Sequence, residues 1–144
     1  MSDDRALLRF FEERDAELLE FTQALIATPS VNPPGDERAA AALVRERLAD
    51  LGIADVEELS AEEGRPNVLA RVPGTGEGRT LMLCGHLDTK PPGDLDAWRT
   101  DPWDPVIADG ELYGLGSGDM KAAVAAMVYA AGALAVGAER RARR

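Results

Sequence analysis

Apolar side chains return at helical spacing near the start of the chain. Leu7, Phe11, Leu18, Phe21 and Leu25 fall on one face of a helix running from about Asp3 to Ala27. Pro29 helps end it, and Asn32-Pro33-Pro34-Gly35 signals a turn. Asp36 is then placed to cap a second helix whose stripe is Ala40, Leu43, Val44, Arg47, Leu48 and Leu51, with Gly52 as its C-terminal cap. The period next shortens to that of strands. Three runs, Ile53–Leu59, Asn67–Val72 and Thr80–Gly85, are separated by Gly/Glu-rich turns. Leu81-Met82-Leu83-Cys84 is continuously apolar, the pattern of a strand covered on both faces.

Residues 89 to 105 are rich in Pro and Asp, hold two tryptophans and show no period. A loop this long inside a compact domain is usually functional or mobile. Val106 to Tyr113 reads as a small hairpin turning at Asp109-Gly110. From Asp119 to about Arg141 an alanine-rich helix follows, with a stripe at Val124, Met127, Val128, Ala131 and Leu134. A helix after strands is normally a crossover to a further strand. Here the pattern stops at the basic run Glu139–Arg144, so it reads as an α/β domain incomplete at its C-terminal end.

The 144 residues read as one domain, and a chain of that size buries ~70% of its unfolded surface. The net charge of −10 is spread along the chain and argues against nucleic acid or an anionic membrane as partner. The single Cys84 excludes an internal disulfide. The charged N-terminus does not resemble a signal peptide. No uninterrupted apolar run approaches ~20 residues, so no membrane span is expected and a cytoplasmic location is.

The chemistry concentrates at two places. The only histidine, His86, lies in Gly85-His86-Leu87-Asp88-Thr89 at the end of an apolar run. Strand alternation points His86 and Asp88 to the same side, where a carboxylate can fix the imidazole tautomer and raise its basicity. Asp119 follows in Gly114-Leu115-Gly116-Ser117-Gly118-Asp119-Met120-Lys121, where a glycine-rich loop enters a helix. An imidazole nitrogen and a carboxylate suit a hydrolytic metal site. The residues alone leave other roles open. Asp119 can be a helix N-cap, Asp88-Thr89 turn chemistry before Pro91, and His86 a satisfied core or surface residue. Cys84 reads as a small core residue, Lys121 as a solvated or ion-paired one, and Trp98 and Trp103 as anchors of their loop. The glycines resemble a phosphate cradle only weakly.

Taken in order, Leu83–Thr89, Trp98-x4-Trp103-Asp104-Pro105, Asp109-Gly110-x-Leu112-Tyr113-Gly114 and Gly116–Lys121 resemble the zinc amidohydrolases. That family includes acetylornithine deacetylase, succinyl-diaminopimelate desuccinylase, aminoacylase and glutamate carboxypeptidase. Pro29–Gly35 and Pro66–Ala70 fit the same pattern. The departures are Leu115 where arginine is common, Ala122-Ala123 where glycines are common, and Lys90 where an apolar residue is common.

The resemblance implies a three-layer α/β zinc-peptidase-like catalytic domain, of which residues 1–144 are the N-terminal portion. The lid and dimerisation domain is absent. It implies that His86 binds one metal, that Asp119 bridges two, and that Asp88 is the supporting carboxylate of the catalytic apparatus. Two zinc ions are expected in the intact enzyme, with cobalt or manganese able to substitute. The expected substrate is a small peptide or N-acyl amino acid, and the intact enzyme is expected to be a homodimer. The family's catalytic glutamate, its neighbouring ligand, the later acidic ligand and the second histidine have no counterpart here. The chain alone is therefore expected to be inactive. Two alternatives stand beside this: half of a split enzyme completed by another chain, and a non-catalytic interaction or metal-binding remnant.

Overall fold

A computed structural model describes residues 3–74 and 78–142 of the chain. The first stripe forms two helices, α1 (Asp3–Glu12) and α2 (Asp15–Ile26), rather than one. The break falls at Arg14, whose φ of −132° and ψ of 15° leave helical geometry. Between Phe11 and Leu18 the residues are charged or alanine, so no packing holds a helix across them. The Asp15 carboxylate accepts the Ala16 N–H at 2.7 Å at the start of α2.

The third helix, α3 (Arg38–Asp50), ends as its glycine foretells. Gly52 has φ +81°, its N–H donates to Ala49 O at 2.9 Å, and the Ile53 N–H donates to Leu48 O at 3.0 Å. This pair of bonds satisfies two carbonyls of the last turn and brings Ile53 onto the core. At the other end the capping position is Glu37, one residue later than expected. Asp36 Oδ1 still accepts the Arg38 N–H, at 3.3 Å.

Two separate antiparallel ladders form among the described residues. Strands β1 (Val56–Ser60) and β2 (Pro66–Ala70) pair in the register Val56↔Ala70 to Ser60↔Pro66. Strands β3 (Val106–Ala108) and β4 (Glu111–Tyr113) make the expected hairpin. Asp109 (φ 52°) and Gly110 (φ 80°) supply the two left-handed residues that a two-residue hairpin turn requires. The chain thus mixes helices with small sheets, an α/β composition, but no central sheet and no three-layer stack is assembled among the described residues.

The third expected strand is not one. Thr80–Gly85 makes no ladder, and no backbone hydrogen bond joins it to another described residue. Leu81 and Met82 are 74% and 80% exposed, and Leu83 is exposed as well. Cys84, expected in the core, is also exposed. A strand exists only by pairing, and neither ladder runs alongside these residues.

The last helix, α4 (Ala122–Ala142), is the spine of the core. Val124, Ala125, Val128, Tyr129 and Ala133 are buried with Phe10, Phe21, Leu25, Val44 and Leu48 of the other helices. The buried face is turned from the expected stripe, leaving Leu134 exposed. Arg47 belongs to the α3 stripe because it stacks. Its guanidinium lies 5.2 Å from the Phe21 ring centre and 5.8 Å from that of Tyr129, and it donates to the Tyr129 hydroxyl at 3.1 Å. Ser117–Gly137 has a mean hydropathy of 1.6 and is by length and composition apolar enough to cross a membrane, contrary to the sequence expectation. In the structure that apolarity faces α1, α2 and α3 along one side. The side chains of the basic run at 139–144 lie outside the described residues.

Candidate metal centre

The site is assembled from four separated stretches of chain. The first is the segment 86–89, held by a parallel bridge between Val31 and Thr89. The Thr89 N–H donates to Ser30 O at 2.9 Å, and the Asn32 N–H donates to Thr89 O at 2.8 Å. The Ser30 hydroxyl donates to Leu87 O at 2.6 Å. Ser30 and Thr89 are both buried, so these bonds are shielded from water and fix the backbone that carries His86 and Asp88.

The second stretch is the turn Ser117–Lys121, at which the glycine-rich loop enters α4. Gly116 has φ +82°, and a Cβ there would lie 2.7 Å from Thr89 Cγ2. Its carbonyl accepts the Lys121 N–H at 2.8 Å. The glycine therefore serves the close approach of this turn to Thr89 rather than a phosphate. Asp119 (φ −139°, ψ 92°) leaves helical geometry inside the turn, and the Asp119–Met120 peptide is cis. Asp119 makes no N-cap bond; its side chain turns to His86.

Lys121 corrects the sequence expectation of a solvated residue. It is 1% exposed, and its Nζ donates to Leu25 O at 2.7 Å and Thr28 O at 2.6 Å. It thereby closes the C-terminal end of α2, where carbonyls lack intrahelical partners and a positive charge is favoured. Burial pushes its pKa down to about 8.

His86 joins the two stretches. Its Nε2 lies 3.0 Å from Asp119 Oδ1. Its Nδ1 lies 3.0 Å from the Asp88 carbonyl oxygen and 3.0 Å from Asp88 Oδ1. Both ring nitrogens thus face acceptors; the charged ring satisfies both, and in the neutral ring the two oxygens of Asp88 at Nδ1 compete with the one of Asp119 at Nε2 for the single proton. Desolvation lowers the His86 pKa, but the hydrogen bond to Asp119 and the contacts with Asp88 outweigh it, and the net shift is upward. Asp88 is held below the usual carboxylate value, first by the hydrogen bond from Asn32 and then by the charges of His86 and Arg65, against some desolvation.

The other two stretches, around Asn32 and Arg65, were given no role at this site by sequence reasoning. Asn32 Nδ2 donates to Asp88 Oδ2 at 2.8 Å. Arg65, between the two strands of the first ladder, lies 3.8 Å from the same oxygen and donates through Nε to Glu37 Oε2 at 3.2 Å. Glu37 is buried, and its Oε1 has no partner. The Pro29–Gly35 motif pointed toward Asn32, but nothing in the sequence pairs Asp88 with Arg65.

The donor set fits a borderline divalent metal. Zinc bonds to imidazole nitrogen and carboxylate oxygen of ~2.0–2.2 Å in tetrahedral geometry put neighbouring donors about 3.4 Å apart, somewhat wider than the 3.0 Å between Nε2 and Asp119 Oδ1. The Asp119 side chain is 82% exposed, so an ion and its remaining ligands can reach it. Among the described residues no group of three or more His, Cys, Asp or Glu side chains gathers to hold an ion. Asp88 is turned onto Nδ1 and Asn32 instead.

Residues 82–142 match the model of peptidase family M20/M25/M40. The likeness to this metallopeptidase family covers 61 of the 144 residues. The match takes in His86, Asp88 and Asp119 together with the hairpin and α4. The matched stretch is thus similar to metal-dependent peptidases. The surrounding loop is anchored as expected at Trp98, whose Nε1 donates to Pro92 O at 2.9 Å. Trp103 is half-buried, and its Nε1 is buried without a partner.

Proposed function

We propose that the chain forms one corner of a zinc-dependent hydrolase that cleaves amide bonds of small peptides or N-acyl amino acids. In this reading His86 Nε2 and Asp119 are metal ligands, with Asp119 shared between two ions, and Asp88 orients His86. The observation that carries it is the 3.0 Å approach of Nε2 to Asp119 Oδ1 while Nδ1 is engaged by Asp88. A bound ion supplies Lewis acidity and a water of lowered pKa. The chain's own residues do the rest of what lies here. Asp88 keeps a proton on Nδ1, so that Nε2 presents its lone pair. Asp119 brings negative charge from the opposite side and leaves an open, accessible rim. With two protein ligands and no glutamate beside them to accept a proton from water, residues 1–144 alone are expected to show little hydrolysis.

Calorimetric zinc titration of the purified chain tests the reading, with His86→Ala and Asp119→Ala beside it. Binding that disappears in both variants supports it. A folded sample that binds no zinc, or binds it equally in both variants, overturns it.

The exposed Leu81-Met82-Leu83 segment favours a second reading, half of a split enzyme. Its free backbone groups can pair with strands of a completing chain. Zinc-dependent hydrolysis that appears only on mixing with a chain carrying the missing glutamates would support this form.

A further inference from the structure

We propose that Asn32 and Arg65 are positioning residues that set the imidazole of His86 by holding one oxygen of Asp88. The proposal rests on the metal-ligand reading of His86 and names the residues that set its ring. Asp88 has two oxygens with separate tasks. Oδ1 lies 3.0 Å from His86 Nδ1. Oδ2 accepts the Asn32 amide at 2.8 Å and faces the Arg65 guanidinium at 3.8 Å. A carboxylate tethered only at Oδ1 could rotate about its own bonds; one held at both oxygens cannot turn without breaking a bond.

Each holder is itself held. Asn32 is fixed by its own backbone N–H on Thr89 O at 2.8 Å, so its amide is presented from a backbone already bridged to the segment that carries Asp88. Arg65 is steered by Glu37, which accepts from Nε at 3.2 Å out of a buried position. Gly35 admits this arrangement. A Cβ at Gly35 would lie 3.1 Å from Arg65 Nε and 3.3 Å from Glu37 Oε1. The sequence Glu37, Arg65, Asp88, His86 is thus a continuous polar chain from α3 to the imidazole. Outer partners of this kind orient ligands, and their loss typically weakens metal binding by about 10–100-fold.

Because His86 is the only histidine, one pair of ring nitrogen signals reports its tautomer without assignment. The experiment uses the full chain with isotope-labelled histidine, without metal, at a pH where the ring is neutral. Asn32→Ala and Arg65→Met are compared with wild type. Expected is a fall in the Nδ1–H fraction in each, with a near-wild-type value in Arg65→Lys. Arg65→Met strands the Glu37 carboxylate, so Arg65→Met combined with Glu37→Gln keeps the test open should the single variant unfold. Unchanged tautomer in folded Asn32→Ala and in a folded Arg65 variant overturns the proposal. Zinc titration of the same samples separates the two ideas. Weakening by about tenfold or more in the variants agrees with positioning of a ligand. Absence of zinc binding in wild type removes the metal reading, while the tautomer comparison still decides whether Asn32 and Arg65 set the ring.

Discussion

Lys121 Nζ lies 2.7 Å from the carbonyl oxygen of Leu25, a residue 96 positions earlier in the chain. A single ammonium therefore links the loop that carries Asp119 to the end of α2. Replacing it by methionine keeps the shape but removes this donor from the Thr28 carbonyl and leaves the Leu25 carbonyl with only the Thr28 N–H at 3.2 Å. Lys121→Met is expected to lose about 1–3 kcal/mol of stability at neutral pH, read by chemical denaturation. A variant as stable as wild type would show that water satisfies those carbonyls equally well.

The same lysine gives a pH signature. Its folded pKa lies at about 8, against 10.5 ordinarily. Between those values the unfolded chain holds a proton that the folded one has released, so stability must rise with pH across that window. The neutral amine keeps two N–H groups for its two carbonyls. The stability difference between wild type and Lys121→Met is expected to grow from pH 8 to pH 10. A flat difference would place the Lys121 pKa near its ordinary value.

His86 titrates with the opposite sign. Its folded pKa is raised above 6.5, so in the metal-free protein its stabilising effect is complete below 6.5 and fades as pH climbs through the raised value. A metal ion competes with the Nε2 proton for the same lone pair. Zinc affinity is accordingly expected to climb as pH rises through the raised His86 value and then level off, with proton release seen as buffer-dependent heat. Affinity independent of pH across that range would place the ion elsewhere than on His86.

Gly116→Ala tests the turn beneath Asp119. A left-handed backbone costs a non-glycine residue about 1–2 kcal/mol, and the new Cβ would also meet Thr89 Cγ2 at 2.7 Å. A fall in melting temperature and a loss of zinc binding are expected together. Retained zinc affinity would show that the Asp119 turn does not depend on this approach.

Leu81→Lys with Met82→Lys tests the exposed segment. Both residues make almost no burial, so the thermal midpoint is expected to stay within the small range of surface substitutions, about 0.5 kcal/mol. Light scattering should show less self-association, since free, apolar strand edges pair with other chains. A large loss of stability would mean that these side chains pack.

What could be read in advance was local. Asp109-Gly110 encodes its turn in two residues, and Gly52 ends α3 with its own N–H on Ala49 O and that of Ile53 on Leu48 O. His86 and Asp88 were placed by alternation within three residues. The errors were long-range. Thr80–Gly85 has the composition of a covered strand, but composition cannot provide a neighbour to pair with. Lys121 looks like any helix lysine until α2 is folded against it. Asp88, Asn32 and Arg65 meet only after the Pro29–Gly35 turn and the first ladder are in place. The break at Arg14 was visible as a gap between Phe11 and Leu18, yet the stripes on either side share one phase and hide it.

The bridge between Val31 and Thr89 separates kinship from mechanics. The stretch that matches the family model begins at residue 82, but the backbone under His86 is anchored by residues 30 to 32, outside that match. A peptide cut to the matched stretch would retain every proposed ligand and lose the floor they stand on.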